Sequence, residues 1–287
     1  MTPISSYSKK YGVAMVTNHC LAYLKEAVDS ILTQSFSDFQ FLIVDDGSNS
    51  ICCRYMDDIK DPRVRIIHKS GLGVSKARNI ALQELKTEYI FIADADDISE
   101  PDRLQTQINH LEKNPDICFL GGFTFPFNEN KNKALVDMKL PLTHEAISRR
   151  MLSTNCVCNP TVVYKRDLAI AVGGYRTDYF SCEDYDIFTR LILAGRVQNL
   201  DRVLVKYRNH PNQLSRIITQ RKKDIVAEIR KNYLIAYEAK FGKGSASLDP
   251  PTPSKNQKLE HPGMLRVKEQ LTNFALNSLK PKKLLHA

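Results

Sequence analysis

The sequence predicts an α/β fold, with a mostly parallel sheet that carries helices on both of its faces. From about residue 12 to residue 194, short apolar runs alternate with segments in which apolar residues recur at helical spacing. The runs are nearly continuous in Val, Ile, Leu and Phe, which is typical of strands buried on both sides. Strands and helices that alternate at this length indicate a parallel sheet whose strands are joined by crossover helices.

The elements of this sheet follow in order along the chain. Strands are expected at residues 13–16, 39–44, 64–68, 89–93 and 117–120. Helices are expected at 21–32 and 75–86, and after Pro101, since proline fits the first turn of a helix. The order is then less regular, with helices at 143–152 and 183–194 and strands at 160–164 and 203–207. One long basic helix at 217–241, a linker rich in Pro, Ser, Gly and Lys at 243–263 and an amphipathic helix at 264–279 follow.

Composition excludes several classes of protein. With 43% hydrophobic residues among 287, the chain can bury a core against the entropy cost of folding, so it is not disordered as a whole. No run approaches the ~18 apolar residues of a membrane-spanning helix, and residues 1–10 lack the apolar core of a signal peptide. The seven cysteines are odd in number and form no C-x-x-C pair of a zinc site. A cytoplasmic protein in a reducing compartment is therefore expected.

The positive charge is concentrated at one end of the sequence. Residues 1–215 carry 26 basic and 26 acidic side chains, whereas residues 216–287 carry 15 basic and 6 acidic ones, which accounts for the net charge of +9. This difference predicts a domain at 1–215 and a basic helical extension at 216–287. The extension suits an anionic surface, such as the inner face of a membrane. A solvated helix face with a loose tail is the competing interpretation, and nucleic acid is not expected, because aromatic residues are not interleaved in a stacking pattern.

Acidic residues follow two of the predicted strands. Asp45 and Asp46 end one strand, and Asp94, Asp96 and Asp97 follow another. Ligands of open α/β sheets bind outside the carboxyl ends of the strands, so these carboxylates are expected to converge there. They would repel one another unless a divalent cation neutralised them, and carboxylate oxygens suit Mg²⁺ or Mn²⁺. In the competing interpretation each acidic group merely caps the following helix, which explains one group better than two.

An ordered set of short motifs carries a resemblance to a known family. The set comprises Asp45-Asp46-Gly47-Ser48, Gly71-Leu-Gly-Val-Ser-Lys-Ala-Arg78-Asn79, Asp94-Ala-Asp96-Asp97, Gly173-Gly174-Tyr175 and Glu183-Asp184. In this order it resembles the family 2 inverting glycosyltransferases of GT-A fold, in particular bacterial enzymes that build lipopolysaccharide, capsule and other surface glycans. The resemblance runs from about residue 12 to residue 215. It implies a nucleotide-diphosphate sugar lying across the carboxyl edge of the sheet.

The resemblance also implies roles for individual residues. The residues that would bind the donor are Thr17, Asp45, Asp46, Arg78, Asp94 and Asp97. Asp94 and Asp96 form the Asp-x-Asp motif, with Asp96 the more direct ligand of Mn²⁺ or Mg²⁺, and His210 is a further candidate at the metal or the diphosphate. The metal would stabilise the negative charge that develops on the departing nucleoside diphosphate.

A base must also take the proton of the acceptor hydroxyl. In Glu183-Asp184, at the start of a predicted helix, the helix N-terminus favours the ionised form that a base needs. By the family's Glu-Asp motif, Asp184 is the catalytic base and Glu183 helps to place the acceptor or its loop. The competing interpretation is a pair of first-turn acids that only stabilise the helix.

One turn departs from the family pattern. The first strand usually leads into a Pro-x-Tyr-Asn type turn whose aromatic ring stacks near the nucleotide base, but here the residues are Val16-Thr17-Asn18-His19. Asn18 stands at the aromatic position, so either another residue stacks on the base or the base is bound more weakly. UDP-sugar is the commonest donor by family analogy, and GDP- and TDP-sugars stay open.

The leading prediction is thus a metal-dependent enzyme that moves a sugar, with inversion, from a nucleotide-diphosphate donor to a hydroxyl of a glycan or lipid-linked acceptor. The alternative is a catalytically weakened module that binds nucleotide or scaffolds a glycan-assembly complex, and the altered turn at Asn18 is its main support. A sugar-1-phosphate nucleotidyltransferase is not expected, because residues 13–24 contain no glycine and hence no Gly-rich activator loop.

Overall fold

Strands and helices alternate along the chain in a computed structural model that describes residues 9–18, 21–128, 140–211, 213–216 and 218–247. The strands are β1 (Tyr11–Thr17), β2 (Gln40–Asp46), β3 (Val64–Lys69), β4 (Tyr89–Asp94), β5 (Ile98–Ser99), β6 (Ile117–Phe127), β7 (Val163–Lys165) and β8 (Arg196–Arg208). The helices are α1 (Leu21–Leu32), α2 (Ser50–Asp57), α3 (Val74–Glu84), α4 (Arg103–Lys113), α5 (His144–Arg150), α6 (Arg166–Ala171), α7 (Glu183–Ala194) and α8 (Gln220–Phe241).

These strands form one sheet in the order β3-β2-β1-β4-β7-β6-β8-β5. β1 lies between β2 and β4 and is parallel to both, and β3 is parallel to β2. Thr17 on β1 faces Asp45 on β2, and Val16 faces Asp94 on β4. Because parallel strands end at the same edge of a sheet, the acidic residues of β2 and β4 flank the end of β1.

The other half of the sheet has mixed directions. β7 is antiparallel to both β4 and β6, and β5 is antiparallel to β8, whereas β6 and β8 are parallel. The short β7 therefore brings the residues that precede it close to the end of β4. The prediction of a mainly parallel sheet is confirmed, and the antiparallel strands are a feature that the apolar runs alone do not reveal.

Helices cover both faces of the sheet, as predicted. On one face α1, α2 and α4 pack on the sheet through residues such as Leu24, Met56 and Leu104. On the other face α3, α5, α6, α7 and α8 contribute to a second apolar layer that includes Ala81 and Phe188. The sheet is thus the middle of three layers, and its strands are buried from both sides.

Helix α8 packs against α7 through a narrow stripe. Ile225, Ile229, Tyr233 and Tyr237 are buried and recur every fourth residue, so they line one side of the helix. No helix among the described residues is long and apolar enough to cross a membrane. The predicted helix at 264–279 and most of the predicted linker at 243–263 lie outside the described residues.

Several boundaries differ from those predicted. β8 begins at residue 196 and not at 203, because its first half alternates exposed and buried positions and so lacks an apolar run. β6 extends to residue 127. The sequence analysis missed α2, which buries only Cys52 and Met56 and is signalled mainly by its Asn49 cap, whose side chain accepts the amides of residues 51 and 52.

Candidate active site

Asp45 and Asp46 at the end of β2, the first acidic pair, are well supplied with hydrogen-bond donors. Asp45 is 1% exposed, and its carboxylate accepts the Ser48 amide at 3.0 Å and faces His68 Nδ1 at 2.8 Å. Burial raises the pKa of Asp45, but the hydrogen bonds from Ser48 and His68 favour the carboxylate more strongly, and the net shift is downward. Asp45 is therefore held ionised although it is buried.

Asp46 fixes the glycine loop that leads into α3. Its two carboxylate oxygens accept the Leu72 and Gly73 amides, each at 2.7 Å. Gly73 has a φ of +79°, in the left-handed region that favours glycine, and a Cβ there would meet open space. The turn itself requires the glycine, and Asp46 holds that turn in place.

The second acidic cluster consists of Asp94 at the end of β4, Asp96 and Asp97 after it, and Glu183 and Asp184 at the start of α7. Arg78 of α3 joins its two parts. Its Nη1 donates to Glu183 at 2.8 Å, and its Nη2 lies 3.4 Å from Asp94 Oδ1. One guanidinium thus serves two carboxylates that come from distant parts of the chain.

The motif Gly173-Gly174-Tyr175 supports Arg78. The Asn79 side chain donates to the Tyr175 carbonyl at 2.7 Å and accepts the Tyr175 amide at 2.8 Å. Gly174 has a φ of +63°, and a Cβ there would lie 2.7 Å from Asn79 Oδ1, so a side chain would separate the two segments. The Tyr175 ring is in consequence held 5.5 Å from the guanidinium carbon of Arg78.

Carboxylates of the second cluster have too few donors for their burial. Asp94 receives Asn159 Nδ2 at 3.0 and 3.1 Å, and Asp97 accepts the Arg208 amide at 2.8 Å. Burial raises the pKa of Asp94, and burial followed by the charges of the neighbouring aspartates raises that of Asp97 well above its usual range. Asp97 Oδ2 and Glu183 Oε2 are buried and have no partner among the described residues. The cluster therefore holds more negative charge than its surroundings compensate.

His210 lies beside Asp96. Its Nε2 is 2.9 Å from Asp96 Oδ2, and its ring centroid is 4.9 Å from that of Tyr23 on α1. The His210 amide donates to Gln213, and Arg208 Nε donates to the Asp96 carbonyl at 2.9 Å. These hydrogen bonds hold the end of β8 against the turn after β4. They also keep the buried imidazole of His210 beside the acidic cluster.

Asp184 lies at the start of α7, next to Glu183 in the cluster. Its Oδ1 accepts the Tyr185 amide at 2.7 Å, and its Oδ2 accepts Asn155 Nδ2 at 3.2 Å. Burial, and then the charge of Glu183, raise the pKa of Asp184 to about 6. A carboxylate with this pKa is ionised at neutral pH and is more basic than an ordinary aspartate, as a general base should be.

The end of β1 lies between the ends of β2 and β4 at the carboxyl edge of the sheet. Thr17 is 2% exposed, and its Oγ1 has no partner among the described residues. Asn18 follows β1 at an exposed position, and His19 lies outside the described residues.

The donor set of the second cluster fits a divalent cation of the hard class. Asp94 and Asp96 offer carboxylate oxygens and His210 an imidazole nitrogen, and the raised pKa values of Asp94 and Asp97 indicate that a positive charge would be bound favourably. The first acidic pair differs, because the donors around Asp45 lower its pKa and so hold it ionised without a cation.

The sequence matches the profile described as Glycosyl transferase family 2 over residues 13–173. That match spans more than half of the 287 residues. The chain belongs to glycosyl transferase family 2. The predicted family and the predicted glycosyltransferase activity are confirmed.

A curated relative agrees with this family assignment, and two solved structures show the same fold. The O-antigen biosynthesis glycosyltransferase WbnJ of Escherichia coli is 31% identical over 207 residues, which cover 69% of this chain and 79% of WbnJ. S. aureus TarS 1–349, solved with UDP-GlcNAc, has a TM-score of 0.64 at 17% identity and covers 91% of this chain and 80% of its own. The mannosyltransferase PcManGT of Pyrobaculum calidifontis, solved with GDP-Man and Mn²⁺, has a TM-score of 0.56 at 17% identity, with coverage of 96% and 82%. The GT-A fold predicted for this family 2 transferase is confirmed.

In this family 2 transferase the structure pairs Thr17 with Asp45 across β1 and β2, joins Arg78 to Asp94 and Glu183, and joins His210 to Asp96. It adds other residues that the sequence did not reveal. The additions are His68 beside Asp45, Asn159 beside Asp94, Asn155 beside Asp184, and Tyr23 and Arg208 around His210. Asn159 carried a weak signal, since it is a polar residue directly before Pro160 and a predicted strand. Arg208 stands two residues before the predicted His210. The others stand in segments without a motif, and only the packing of the chain places them at the site.

Proposed function

We propose that this family 2 transferase moves a sugar from a nucleotide-diphosphate donor, with inversion, onto a hydroxyl of a glycan or lipid-linked acceptor. The observation that carries the proposal is the second acidic cluster, where buried carboxylates short of donors lie beside Asp184, an aspartate of raised pKa. A UDP-sugar is the proposed donor, supported by the UDP-GlcNAc complex of TarS. Cell-surface polysaccharide biosynthesis is the proposed role, supported by the likeness to WbnJ.

Donor binding is assigned to residues around the ends of β1, β2 and β4. These are Thr17, Asp45, Asp46, Arg78, Asp94 and Asp97. The ionised Asp45 can accept N–H or O–H groups of the base and ribose, and the unpartnered Thr17 hydroxyl is available beside it. Arg78 supplies positive charge for the phosphates, and the unpartnered Oδ2 of Asp97 can accept a hydroxyl of the sugar.

Asp96, Asp94 and His210 are the proposed holders of Mn²⁺ or Mg²⁺. The support is the surplus negative charge of the cluster and the contact of 2.9 Å between His210 and Asp96, together with the Mn²⁺ complex of PcManGT. When bound, the ion would supply electrostatic stabilisation of the negative charge on the leaving diphosphate.

Asp184 is the proposed catalytic base. Its carboxylate takes the proton of the acceptor hydroxyl as that oxygen forms a bond to the anomeric carbon. The bond from the anomeric carbon to the diphosphate oxygen breaks, and its electron pair leaves with the nucleoside diphosphate. Asn155 and the Tyr185 amide hold Asp184, while Glu183, paired with Arg78, raises its basicity and helps to place the acceptor.

A thermal-shift panel of UDP, GDP, TDP and CMP, each with and without Mn²⁺, tests the donor assignment. Selective binding to the folded state stabilises it by about 2.7 kcal/mol when the ligand is present at 100 times its Kd. We expect the largest shift with UDP and Mn²⁺, and its loss in Asp96→Ala but not in the exposed control Asp178→Ala. Equal shifts without metal, or a larger shift with another nucleotide, would contradict the assignment.

The segment at 216–287, which we propose as an extension of the catalytic domain at 1–215, is assigned a role at an anionic inner membrane face. Within α8, five basic side chains are exposed: Arg221, Lys223, Arg230, Lys231 and Lys240. Ile235 is 59% exposed beside them, whereas Lys222 donates to Ser181 and is used within the fold. Sedimentation with phosphatidylglycerol vesicles, but not with phosphatidylcholine vesicles, is expected, and equal binding to both would contradict this role.

A further inference from the structure

Three side chains from different elements meet beside the first acidic pair. They are Asp45 at the end of β2, Cys53 in α2 and His68 in β3, and one ligand atom of each lies within 4.8 Å of the other two. Both Cys53 Sγ, at 3.5 Å, and His68 Nδ1, at 2.8 Å, face the same oxygen, Asp45 Oδ2. Two hydrogen-bond donors thus converge on one carboxylate oxygen, and a cation could replace their protons between the three atoms.

We propose that Asp45, Cys53 and His68 bind a transition-metal cation of the zinc class. Thiolate, imidazole and carboxylate are the ligands that Zn²⁺ uses in proteins, and three protein ligands leave its fourth position open. Mg²⁺ and Mn²⁺ prefer oxygen ligands, so this site differs in its chemistry from the one assigned to Asp94, Asp96 and His210.

The surroundings of the three ligands support a metal site. In such sites the second nitrogen of a ligating histidine usually donates to a carboxylate, which fixes the ring. Here His68 Nε2 lies 3.2 Å from Asp57 Oδ1. The other oxygen of Asp45 accepts the Ser48 amide at 3.0 Å, so this ligand is also held in place. The His68 side chain is 38% exposed, which leaves a path for an ion to enter from solvent.

Occupation of this site would compete with the sugar donor. Asp45 is assigned to the nucleotide base or ribose. Its Oδ1 accepts the Ser48 amide, so it cannot accept hydrogen bonds of the donor while its Oδ2 binds a cation. This consequence rests on the proposed function, whereas the metal site itself does not. A zinc-class cation would therefore inhibit transfer at a place separate from the acidic cluster of the reaction.

Cobalt(II) is a suitable probe, because a thiolate ligand gives it charge-transfer absorption in the near ultraviolet. The full-length protein, reduced with a phosphine, is titrated with Co²⁺ in excess Mg²⁺, which occupies the hard site. We expect charge-transfer absorption that Zn²⁺ abolishes and further Mg²⁺ does not. Cys53→Ala should lose it, while the neighbouring Cys52→Ala, matched in residue type and helix, should keep it. Cys53→Ser, of nearly the same size, should lose it as well.

The remaining variants test the other ligands. His68→Ala should weaken Co²⁺ binding at least about tenfold, and Asp57→Ala, which removes only the orienting contact, by about 10–100-fold. No charge-transfer band at saturating Co²⁺, or a band that survives in both Cys53 variants, overturns the site. The competition is measured separately, as the Kd for UDP with and without Zn²⁺. A Kd that Zn²⁺ leaves unchanged in a protein that shows the band overturns the overlap with the donor, and no UDP binding under any condition contradicts the proposed function instead.

Discussion

The first acidic pair and the second acidic cluster lie at the same edge of the sheet, but their carboxylates are in opposite electrostatic states. Asp45 is almost fully buried and its pKa is lowered, whereas the pKa values of Asp94, Asp97 and Asp184 are raised. Burial acts in the same direction on all four. The difference comes from donors, since Ser48 and His68 serve Asp45, while several carboxylates of the cluster share few.

This difference indicates that the two groups have different roles in the site. A carboxylate kept ionised by fixed donors is a ready acceptor for hydrogen bonds of a ligand, and it needs no cation. A cluster with surplus negative charge destabilises the folded protein until a cation or a proton joins it. Such a cluster is expected where a reaction needs both a bound metal and a base.

The largest expected effect follows from removing the base of the cluster. Asp184→Asn cannot accept the proton of the acceptor, so kcat should fall about 10²–10⁴-fold, the usual contribution of general-base catalysis. The Kd for the nucleotide should change little, because Asp45 and the metal ligands are intact. Transfer assays and nucleotide binding are compared with those of Asp178→Asn, an exposed aspartate of the preceding loop. Full activity in Asp184→Asn would remove Asp184 from the mechanism.

The pH profile tests the raised pKa of the same residue. The base must be ionised, and its pKa is about 6, so log kcat/KM should fall with a slope of one as the pH drops below that value. Glu183→Gln removes a negative charge that raises the pKa of Asp184. In this variant the acidic fall in log kcat/KM should therefore move to lower pH. If log kcat/KM falls at the same pH in Glu183→Gln as in the unchanged protein, a group other than Asp184 controls the pH profile.

The smallest expected effects concern stability and have opposite signs in the two groups. The folded pKa of Asp184 lies above its ordinary value of 3.8, so the ionised form lowers stability, and this cost is fully present above pH 6. Asp184→Asn should therefore raise the free energy of unfolding at pH 7 by on the order of 1–3 kcal/mol. The pKa of Asp45 is lowered, so its ionised form stabilises the fold at pH values above the ordinary pKa of an aspartate. Asp45→Asn should therefore lower the free energy of unfolding at pH 7 by about 1–2 kcal/mol.

Urea unfolding at pH 7 and near pH 4 measures both variants. The two effects should shrink at the lower pH, because Asp184 is then mostly protonated in the folded protein and the charge of Asp45 is partly neutralised in the unfolded one. Effects of equal sign at pH 7 would contradict the contrast between the two groups.

The sequence predicted the parallel half of the sheet more accurately than the mixed half. β1 to β4 are short runs rich in apolar residues, and their predicted ranges agree with the observed strands to within two residues at each end, with only residue 39 outside its strand. β7 has only three residues and is antiparallel to both neighbours, and the first part of β8 alternates polar and apolar residues. Pairing direction depends on the path of the whole chain, so local patterns do not indicate it.

The residues of the site also differ in how well the sequence predicted them. Asp45, Asp96 and Asp184 stand in short motifs directly after strands or at a helix start, and these positions suffice to bring them to the carboxyl edge. His68, Asn159 and Cys53 have no motif and reach the site only through the packing of β3, β7 and α2. The C-x-x-C test for zinc could not detect Cys53, because its partners come from two other elements.

The parallel α/β framework, the family and the list of acidic residues could be predicted without a structure, because strand periodicity and local motifs depend on neighbouring residues. Which of those carboxylates carry a stable charge depends on the folded arrangement. A pKa depends on burial and on donors within a few ångströms, and those donors come from segments as far apart in the chain as Arg78 and Glu183 or Asp94 and Asn159.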